Sequence, residues 1–160
     1  MLTTNQLTAL RAYIDAATDP AVVAARTPAT RADYVIANWL NEASSTLAWN
    51  EATAARGVFE AINIGKFDTL TAGKRDAQRM MLDFAPVDFT RQKNRNAIID
   101  IWGNADSVAV LEACRRPALR CEEAFGGTVR TTSNNVSALN LNRAGSVTMM
   151  DVADALNMAV

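Results

Sequence analysis

The 160-residue chain has no histidine and only two cysteines. Without histidine it cannot use a Ser-His-Asp triad or any other mechanism that depends on an imidazole. The usual zinc sites need three or four Cys or His ligands, which the chain does not have. Its few glycines form no phosphate-binding loop, because Gly126 and Gly127 follow a helical pattern instead of preceding one. We therefore predict no catalytic residues, no metal and no cofactor, and we expect the protein not to be an enzyme.

The chain also has no excess of charge of either sign. Sixteen Lys and Arg residues stand against seventeen Asp and Glu, which gives a net charge of −1. Bulk binding to nucleic acid requires a basic surface, so we do not expect it here. Residues 65–120 hold ten basic and seven acidic side chains, whereas residues 121–160 hold two and four. This mild asymmetry favours head-to-tail contacts between copies of the chain.

Long apolar runs are missing too, since none approaches the roughly 18 residues that cross a membrane. The first residues do not resemble a secretory signal. Cys114 and Cys121 lie two helical turns apart, about 10 Å along a helix, which is too far for a disulfide within that helix. We interpret both as small core residues of a protein made in a reducing cytoplasm.

What the sequence does have is alanine, at 30 positions, and this composition favours helices. Apolar residues at spacings of three and four predict five or six helices, with cap and turn residues between them. The main helical patterns begin near Thr3, Thr30, Leu70, Asp88 and Asp106. The predicted fold class is therefore mainly all-α, a compact bundle of helices.

Three places depart from the helical pattern in the first 127 residues. Residues 47–51, around Trp49, are short enough to be extended. Gly103 ends the pattern that begins near Asp88. Pro117 lies inside the pattern that begins near Asp106, so we expect a kink there or a break into two helices.

The composition changes after residue 127. Residues 128–145 are rich in Thr, Ser and Asn, and they predict either a small β-hairpin or an extended arm without a core of its own. Thr148 then caps a last short helix. The predicted organisation is a single structural domain with a helical body, residues 1–127, and a polar appendage, residues 128–160.

The densest basic segment surrounds Pro117 and holds Arg115, Arg116 and Arg120. One interpretation is a contact with phosphate or with an acidic partner. The other is an exposed helix face on which the arginines pair with nearby glutamates. Three arginines beside a helix-breaking proline are more specific than an ordinary run of charge.

Further candidate interface residues lie outside this segment. Trp39 and Trp102 are expected in the core, but Trp49 lies in a connection, where a tryptophan can occupy a subunit surface. The polar appendage supplies four more candidates. The candidate interface residues are Arg115, Arg116, Arg120, Trp49, Asn134, Asn135, Leu139 and Leu141.

Three stretches of the chain resemble a known family when they are taken together. The first joins residues 39–41, Trp-Leu-Asn, to residues 48–50, Ala-Trp-Asn. The second is residues 113–122, with the run Arg-Pro-Ala-Leu-Arg-Cys-Glu, and the third is residues 145–156, from Gly-Ser-Val-Thr to Asp-Val. In this order they resemble a family of small virion proteins of tailed bacteriophages.

The resemblance implies a non-enzymatic structural subunit at the head-to-tail junction, of the neck, adaptor or head-completion type. Such subunits form rings of six or twelve copies that join the portal to the tail. The implied partners are other copies of the chain, the portal protein and neighbouring neck or tail proteins, with DNA passing only through the ring lumen. The implied location is the virion, after synthesis in the cytoplasm of a bacterial host.

Two alternatives remain open beside this interpretation. The first is another position in the virion, such as a tail terminator, a tail-completion protein or a head-surface protein, because a fold does not determine a site. The second is a cytoplasmic helical regulator that binds DNA or protein.

Overall fold

The first helix, α1, spans Thr4–Ala16 and begins where the sequence predicts. In the computed structural model, which describes residues 1–158, the side chain of Thr3 accepts a hydrogen bond from the Gln6 N–H. The Gln6 side chain accepts one from the Thr3 N–H at 2.9 Å. This capping box satisfies N–H groups that the first turn leaves without helical partners. Leu10 and Ile14 are buried on one face of the helix.

The other helices and four strands follow in chain order. The helices that the sequence predicts near Thr30, Leu70 and Asp88 each begin two to four residues later, at Asp33, Ala72 and Gln92. Within residues 1–158 the helices are α2 (Pro20–Ala25), α3 (Asp33–Leu40), α4 (Ala55–Glu60), α5 (Ile64–Phe67), α6 (Ala72–Asp83), α7 (Gln92–Ala113), α8 (Arg120–Phe125) and α9 (Met149–Asn157). The strands are β1 (Ala43–Trp49), β2 (Arg115–Leu119), β3 (Gly127–Thr131) and β4 (Ser137–Leu141).

The four strands form one mixed sheet in the order β2-β1-β4-β3. Strands β1 and β4 run parallel, with Ala48 opposite Leu139. Of the described residues, 56% are helical and 15% lie in strands. The prediction of a mainly all-α bundle is therefore wrong, and the fold is of the α/β type.

The helical pattern of the sequence does not predict strand β2. The sequence predicts a kinked helix or two adjoining helices around Pro117, but α7 ends at Ala113 and a strand separates it from α8. Proline has no N–H to donate to a sheet, so it is found in edge strands. Strand β2 lies at an edge of the sheet, where the missing donor costs little.

Helix α7 contains a break that the sequence does predict. Gly103 has φ 75° and ψ 171°, values outside the helical region. Residues with a Cβ rarely adopt a positive φ, whereas glycine does so readily. The helical pattern ends here as expected, and a second helical segment then continues to Ala113.

The segment of residues 128–145 is part of the sheet and not an arm. It forms β3 and β4, and β4 lies inside the sheet between β1 and β3. Val136 and Ala138 are buried in a hydrophobic core. Their alternation with exposed Ser137 is the period of a strand with one buried face, so the weak sequence pattern marks a core strand.

The chain divides into two compact units, each built from separate stretches of sequence. Unit 1 consists of residues 1–46, 117–128 and 141 onwards. Within unit 1, α1 and α3 both pack against α8 and α9. Its core includes the buried side chains of Leu2, Leu10, Ile14, Val22, Ile36, Leu40, Cys121, Phe125, Val147 and Val152.

Unit 2 consists of residues 47–116 and 129–140. Its core is formed mainly by Trp49, Val58, Phe89, Ile98, Trp102, Leu111, Cys114 and Val136. One polar side chain of α6, Gln78, is also fully buried and accepts a hydrogen bond from Trp102 Nε1 at 2.8 Å. Residues beyond 127 are therefore shared between the two units.

Both cysteines are free and buried, which confirms their prediction as core residues. Burial raises the pKa of the Cys114 thiol to about 12, so this thiol stays protonated at neutral pH. Across residues 1–158, no helix has the length and apolar character needed to span a bilayer.

We predict that Thr148→Ala destabilises the protein by about 1 kcal/mol, because Thr148 and Asp151 form a capping box at the start of α9. The free energy of unfolding is measured by urea denaturation. Thr4→Ala is the control, since Thr4 is exposed on the first turn of α1, and its effect is expected to stay within about 0.5 kcal/mol. An equal loss in both variants would contradict a role for the cap.

Candidate functional site

Some of the residues that carry the family resemblance meet in unit 1 through hydrogen bonds to the backbone. Asn41 Nδ2 donates to the Val147 carbonyl at 2.8 Å, and Asn41 Oδ1 accepts from the Val147 N–H at 2.9 Å. Glu122 accepts from the N–H groups of Gly145, at 2.7 Å, and Leu119, at 2.8 Å. These side chains fix the loop before α9, so the motif residues build the fold of unit 1.

Two of the candidate arginines lie next to each other on β2. Successive side chains of a strand point to opposite faces, so Arg115 and Arg116 do not form one basic surface. Arg115 pairs with Glu112 at 3.1 Å and donates to the Ser137 carbonyl at 3.2 Å. Arg116 is half-buried. The ion pair between Arg115 and Glu112 agrees with the interpretation in which these arginines pair with nearby glutamates.

The third arginine, Arg120, begins α8 and is held by residues of unit 1. Its Nη1 donates to Glu42 Oε2 at 2.6 Å and to the Trp39 carbonyl at 3.0 Å. Its guanidinium carbon lies 4.8 Å from the centre of the Trp39 ring, a cation–π distance. Arg120 therefore makes its hydrogen bonds and its ion pair within unit 1. Its ion-pair partner, Glu42, is distant in sequence and is not one of the glutamates that helical spacing predicts.

Tyr13 and Glu123 form a polar cluster near Arg120. The Tyr13 hydroxyl donates to Glu123 Oε2 at 3.0 Å, and the Thr46 hydroxyl donates to Glu123 Oε1 at 2.9 Å. The rings of Tyr13 and Trp39 lie 5.8 Å apart. Burial raises the pKa of Tyr13 to about 12, and the hydrogen bond to Glu123 contributes in the same direction. Nothing in the chain's pattern predicts this cluster, because its residues are far apart in sequence.

The structure places Trp49 in the core of unit 2 and not on a surface. Its ring is fully buried, and its Nε1 donates to the Arg130 carbonyl at 3.1 Å. The guanidinium carbon of Arg95 lies 4.9 Å from the ring centre. The prediction of a subunit surface is wrong because residues 47–51 are not a connection: Trp49 ends β1, an inner strand of the sheet.

The candidates of the polar segment have different environments. Asn134 Nδ2 donates to the Asn104 carbonyl and to Ser107 Oγ, which is 2.9 Å away, so it fastens the β3–β4 connection to α7. Asn135 is exposed and adopts a positive φ of 66° in the turn. Leu139 and Leu141 are half-buried in β4. Of these candidates, Asn135 is the most open to a partner.

An apolar groove in unit 2 was missed by the sequence analysis. We call it the α6 groove; it has a volume of about 380 Å³. Met80 is 59% exposed and Phe84 is 77% exposed beside it. Two basic side chains, Arg91 and Lys93, also line the groove. Large apolar side chains exposed together beside a charged border are typical of protein interaction sites.

The sequence pattern of α6 was misleading about which face is buried. The spacing of Ala77, Met80 and Phe84 predicts that they face the core. The structure buries Gln78 instead, because its side chain bonds to the indole of Trp102. Met80 and Phe84 therefore stay exposed, whereas Met81 and Leu82 of the same helix pack against the core of unit 2.

A second exposed apolar surface lies on α9 of unit 1. Met149 and Met150 are both largely exposed, and Asp154 lies one turn further along the helix and is exposed as well. On the opposite face Val152 and Ala155 are buried. We call the exposed side, formed by Met149, Met150 and Asp154, the α9 face.

Comparison with protein-family models, with curated proteins and with solved structures finds no match for the chain. Among residues 1–158, no group of three or more Cys, Asp and Glu side chains is placed to hold a metal ion. The α6 groove, with its exposed apolar side chains and basic border, is a candidate interaction surface, and the α9 face is its chemical complement.

We predict that Tyr13 titrates near pH 12, which can be read by ultraviolet absorbance in a Tyr34→Phe background that leaves Tyr13 as the only tyrosine. Glu123→Gln is expected to lower this pKa, because the negative charge that opposes phenolate formation is lost. Glu60→Gln, on exposed α4, is the control and leaves the pKa unchanged.

The shift also affects stability at alkaline pH. The folded state keeps the Tyr13 proton above pH 10, where the unfolded chain loses it. The contribution of the buried Tyr13 hydroxyl to the free energy of unfolding is therefore fully present below pH 10, and it is lost as the pH rises towards 12. A titration midpoint of Tyr13 near pH 10 in the Tyr34→Phe variant would contradict the burial of the Tyr13 hydroxyl.

Proposed function

We propose that the chain is a non-enzymatic structural protein of a tailed-bacteriophage virion, a subunit of an oligomeric ring of the neck, adaptor or head-completion type. Its partners are other copies of itself, the portal protein and neighbouring neck or tail proteins. The sequence resemblance suggests this role, and the observation that carries it is the exposed α6 groove. A monomer in solution rarely leaves such large apolar side chains open to water.

We propose that the α6 groove of one copy receives the α9 face of the next. The groove offers exposed Met80 and Phe84 with basic Arg91 and Lys93 beside them. The α9 face offers exposed methionines with Asp154. Methionine side chains are flexible and fill irregular apolar surfaces well, and the opposite charges fix the orientation of the contact.

A contact between two different surfaces has a consequence for the assembly. Such heterologous contacts repeat from copy to copy, and they close into a ring when the rotation between copies allows it. A contact that used the same surface on both copies would stop at a dimer. The pairing of the α6 groove with the α9 face therefore fits a ring subunit better than a dimer.

The basic segment with Arg115, Arg116 and Arg120 has a smaller role in this proposal. Arg115 and Arg120 are paired within the chain, to Glu112 and Glu42 respectively, so neither adds an unpaired charge to an interface. Both glutamates are more exposed than their arginine partners. We propose that a portal or neck partner contacts the Arg120–Glu42 pair of unit 1 from the solvent side.

The two alternatives differ from this proposal in measurable ways. A tail terminator, a tail-completion protein or a head-surface protein would have the same solution behaviour but a different place in the particle, which imaging of assembled virions distinguishes. A DNA-binding regulator would show affinity for duplex DNA that falls steeply as salt is raised. Absence of DNA binding at low salt would remove the DNA-binding form of that alternative.

We predict that Phe84→Ser reduces self-association, measured by native mass spectrometry and sedimentation at matched concentrations. Its side chain is exposed in the monomer, so the variant keeps its fold while the groove loses its largest apolar contact. Tyr34→Ser is the control, since Tyr34 is an exposed aromatic on α3 of unit 1, outside both proposed surfaces. Equal oligomer populations in the wild type and in Phe84→Ser would overturn the role of the groove.

Charge reversal tests the pairing of the two surfaces. We expect Lys93→Glu and Asp154→Lys each to weaken assembly, because each places like charges across the contact. The double variant restores opposite charges and is expected to recover assembly. Additive losses in the double variant would show that the α6 groove does not meet the α9 face.

A further inference from the structure

Arg95 is the most deeply buried arginine of the described chain, with only 3% of its surface exposed. It lies in the first turn of α7, and its Nη1 donates to the carbonyls of Phe89, at 2.5 Å, and Thr90, at 2.7 Å. The guanidinium also stacks over the ring of Trp49. These contacts use one of its nitrogens, and a guanidinium has five N–H donors.

Arg95 has no anionic partner in the described part of the chain. No carboxylate lies within ion-pair distance of its guanidinium, whereas Arg91 of the preceding turn is paired with Asp88 at 2.9 Å. Burial lowers the pKa of Arg95, and the positive charge of Arg130 lowers it further, against a weaker opposite effect of Asp88. A buried cation without a counter-ion is costly.

A polar cleft of about 320 Å³ opens beside this arginine. Gln92, Arg95 and Asn96 line it from α7, and Ser133 lines it from the segment after β3. All four side chains are able to donate hydrogen bonds. The cleft also lies at the amino-terminal end of α7, where the helix dipole favours negative charge.

We propose that this cleft binds the phosphate group of a small molecule, with Arg95 as the cationic group that lines it. Donors from α7 and from the segment after β3 reach a bound group from two sides, which suits a tetrahedral oxyanion. The guanidinium, the carboxamides and the hydroxyl supply more donors than a planar carboxylate uses. Binding would give the buried charge of Arg95 the anion that the chain itself does not supply.

The cleft is larger than a phosphate ion, and its two ends differ. Gln92 and Asp100 are eight residues apart on α7, about 12 Å along the axis. Asp100, which is exposed, also lines the cleft, and its charge repels an anion. The phosphate therefore lies at the Gln92 end, and the uncharged part of the molecule extends towards Asp100, which can accept hydrogen bonds from hydroxyl groups.

The test is a titration of the full chain with inorganic phosphate, at ionic strength held constant with sodium chloride. Amide chemical shifts report the site, and the thermal midpoint reports the stabilisation that follows from binding to the folded state. We expect saturable shifts at residues 92–96 and 130–133. Gln92→Glu is expected to weaken binding about tenfold, because it places a negative charge at the end of the cleft that holds the phosphate.

Arg56→Gln is the matched control, because Arg56 also belongs to unit 2 and its side chain is 87% exposed on α4. This variant lowers the net charge by one, as Gln92→Glu does, and is expected to bind phosphate as the wild type does. Equal weakening in Arg56→Gln and Gln92→Glu would show a general charge effect and overturn the site. So would the absence of saturable shifts at residues 92–96.

Discussion

The structure of unit 2 depends on the burial of Trp49 at the end of β1. The indole donates to the Arg130 carbonyl of β3, and Arg95 from the start of α7 covers the ring. At the next residue, the Asn50 N–H donates to the Cys114 carbonyl at the end of α7, and the Asn50 carbonyl accepts from the N–H of Phe89. Strand β3, both ends of α7 and the segment before α7 thus all contact Trp49 or Asn50. The buried indole N–H of Trp49 has the hydrogen-bond partner that its burial requires.

This arrangement explains why a charged side chain is buried in unit 2. Arg95 can cover Trp49 only from the first turn of α7, and that position also puts its guanidinium against the carbonyls of Phe89 and Thr90. The same packing brings the start of α7 close to β3 and leaves the polar cleft between them. A structural need, the covering of one tryptophan, therefore creates a site with unbalanced positive charge.

Local signals in the sequence were sufficient for the features that depend on neighbouring residues. Thr3 and Thr148 cap helices as predicted, and Gly103 breaks α7, because each effect involves only a few adjacent positions. The sheet was not predictable in this way, since Ala48 pairs with Leu139 across a large separation in sequence. Of the candidate site, the sequence identified the arginines but missed the α6 groove, because the burial of Gln78 depends on a tryptophan of another helix.

The motifs that resemble those of a virion protein are used for the fold. Asn41 and Glu122 bind the loop before α9 through its backbone, so they do not by themselves identify a binding partner. In the proposed assembly, selectivity for partners comes from exposed groups that the fold does not need, which are the apolar side chains of the α6 groove and the α9 face. Apolar groups supply affinity that depends little on salt, whereas the few charges beside them set direction. A near-neutral protein that assembled as proposed would pack many copies together without the mutual repulsion that a large net charge causes.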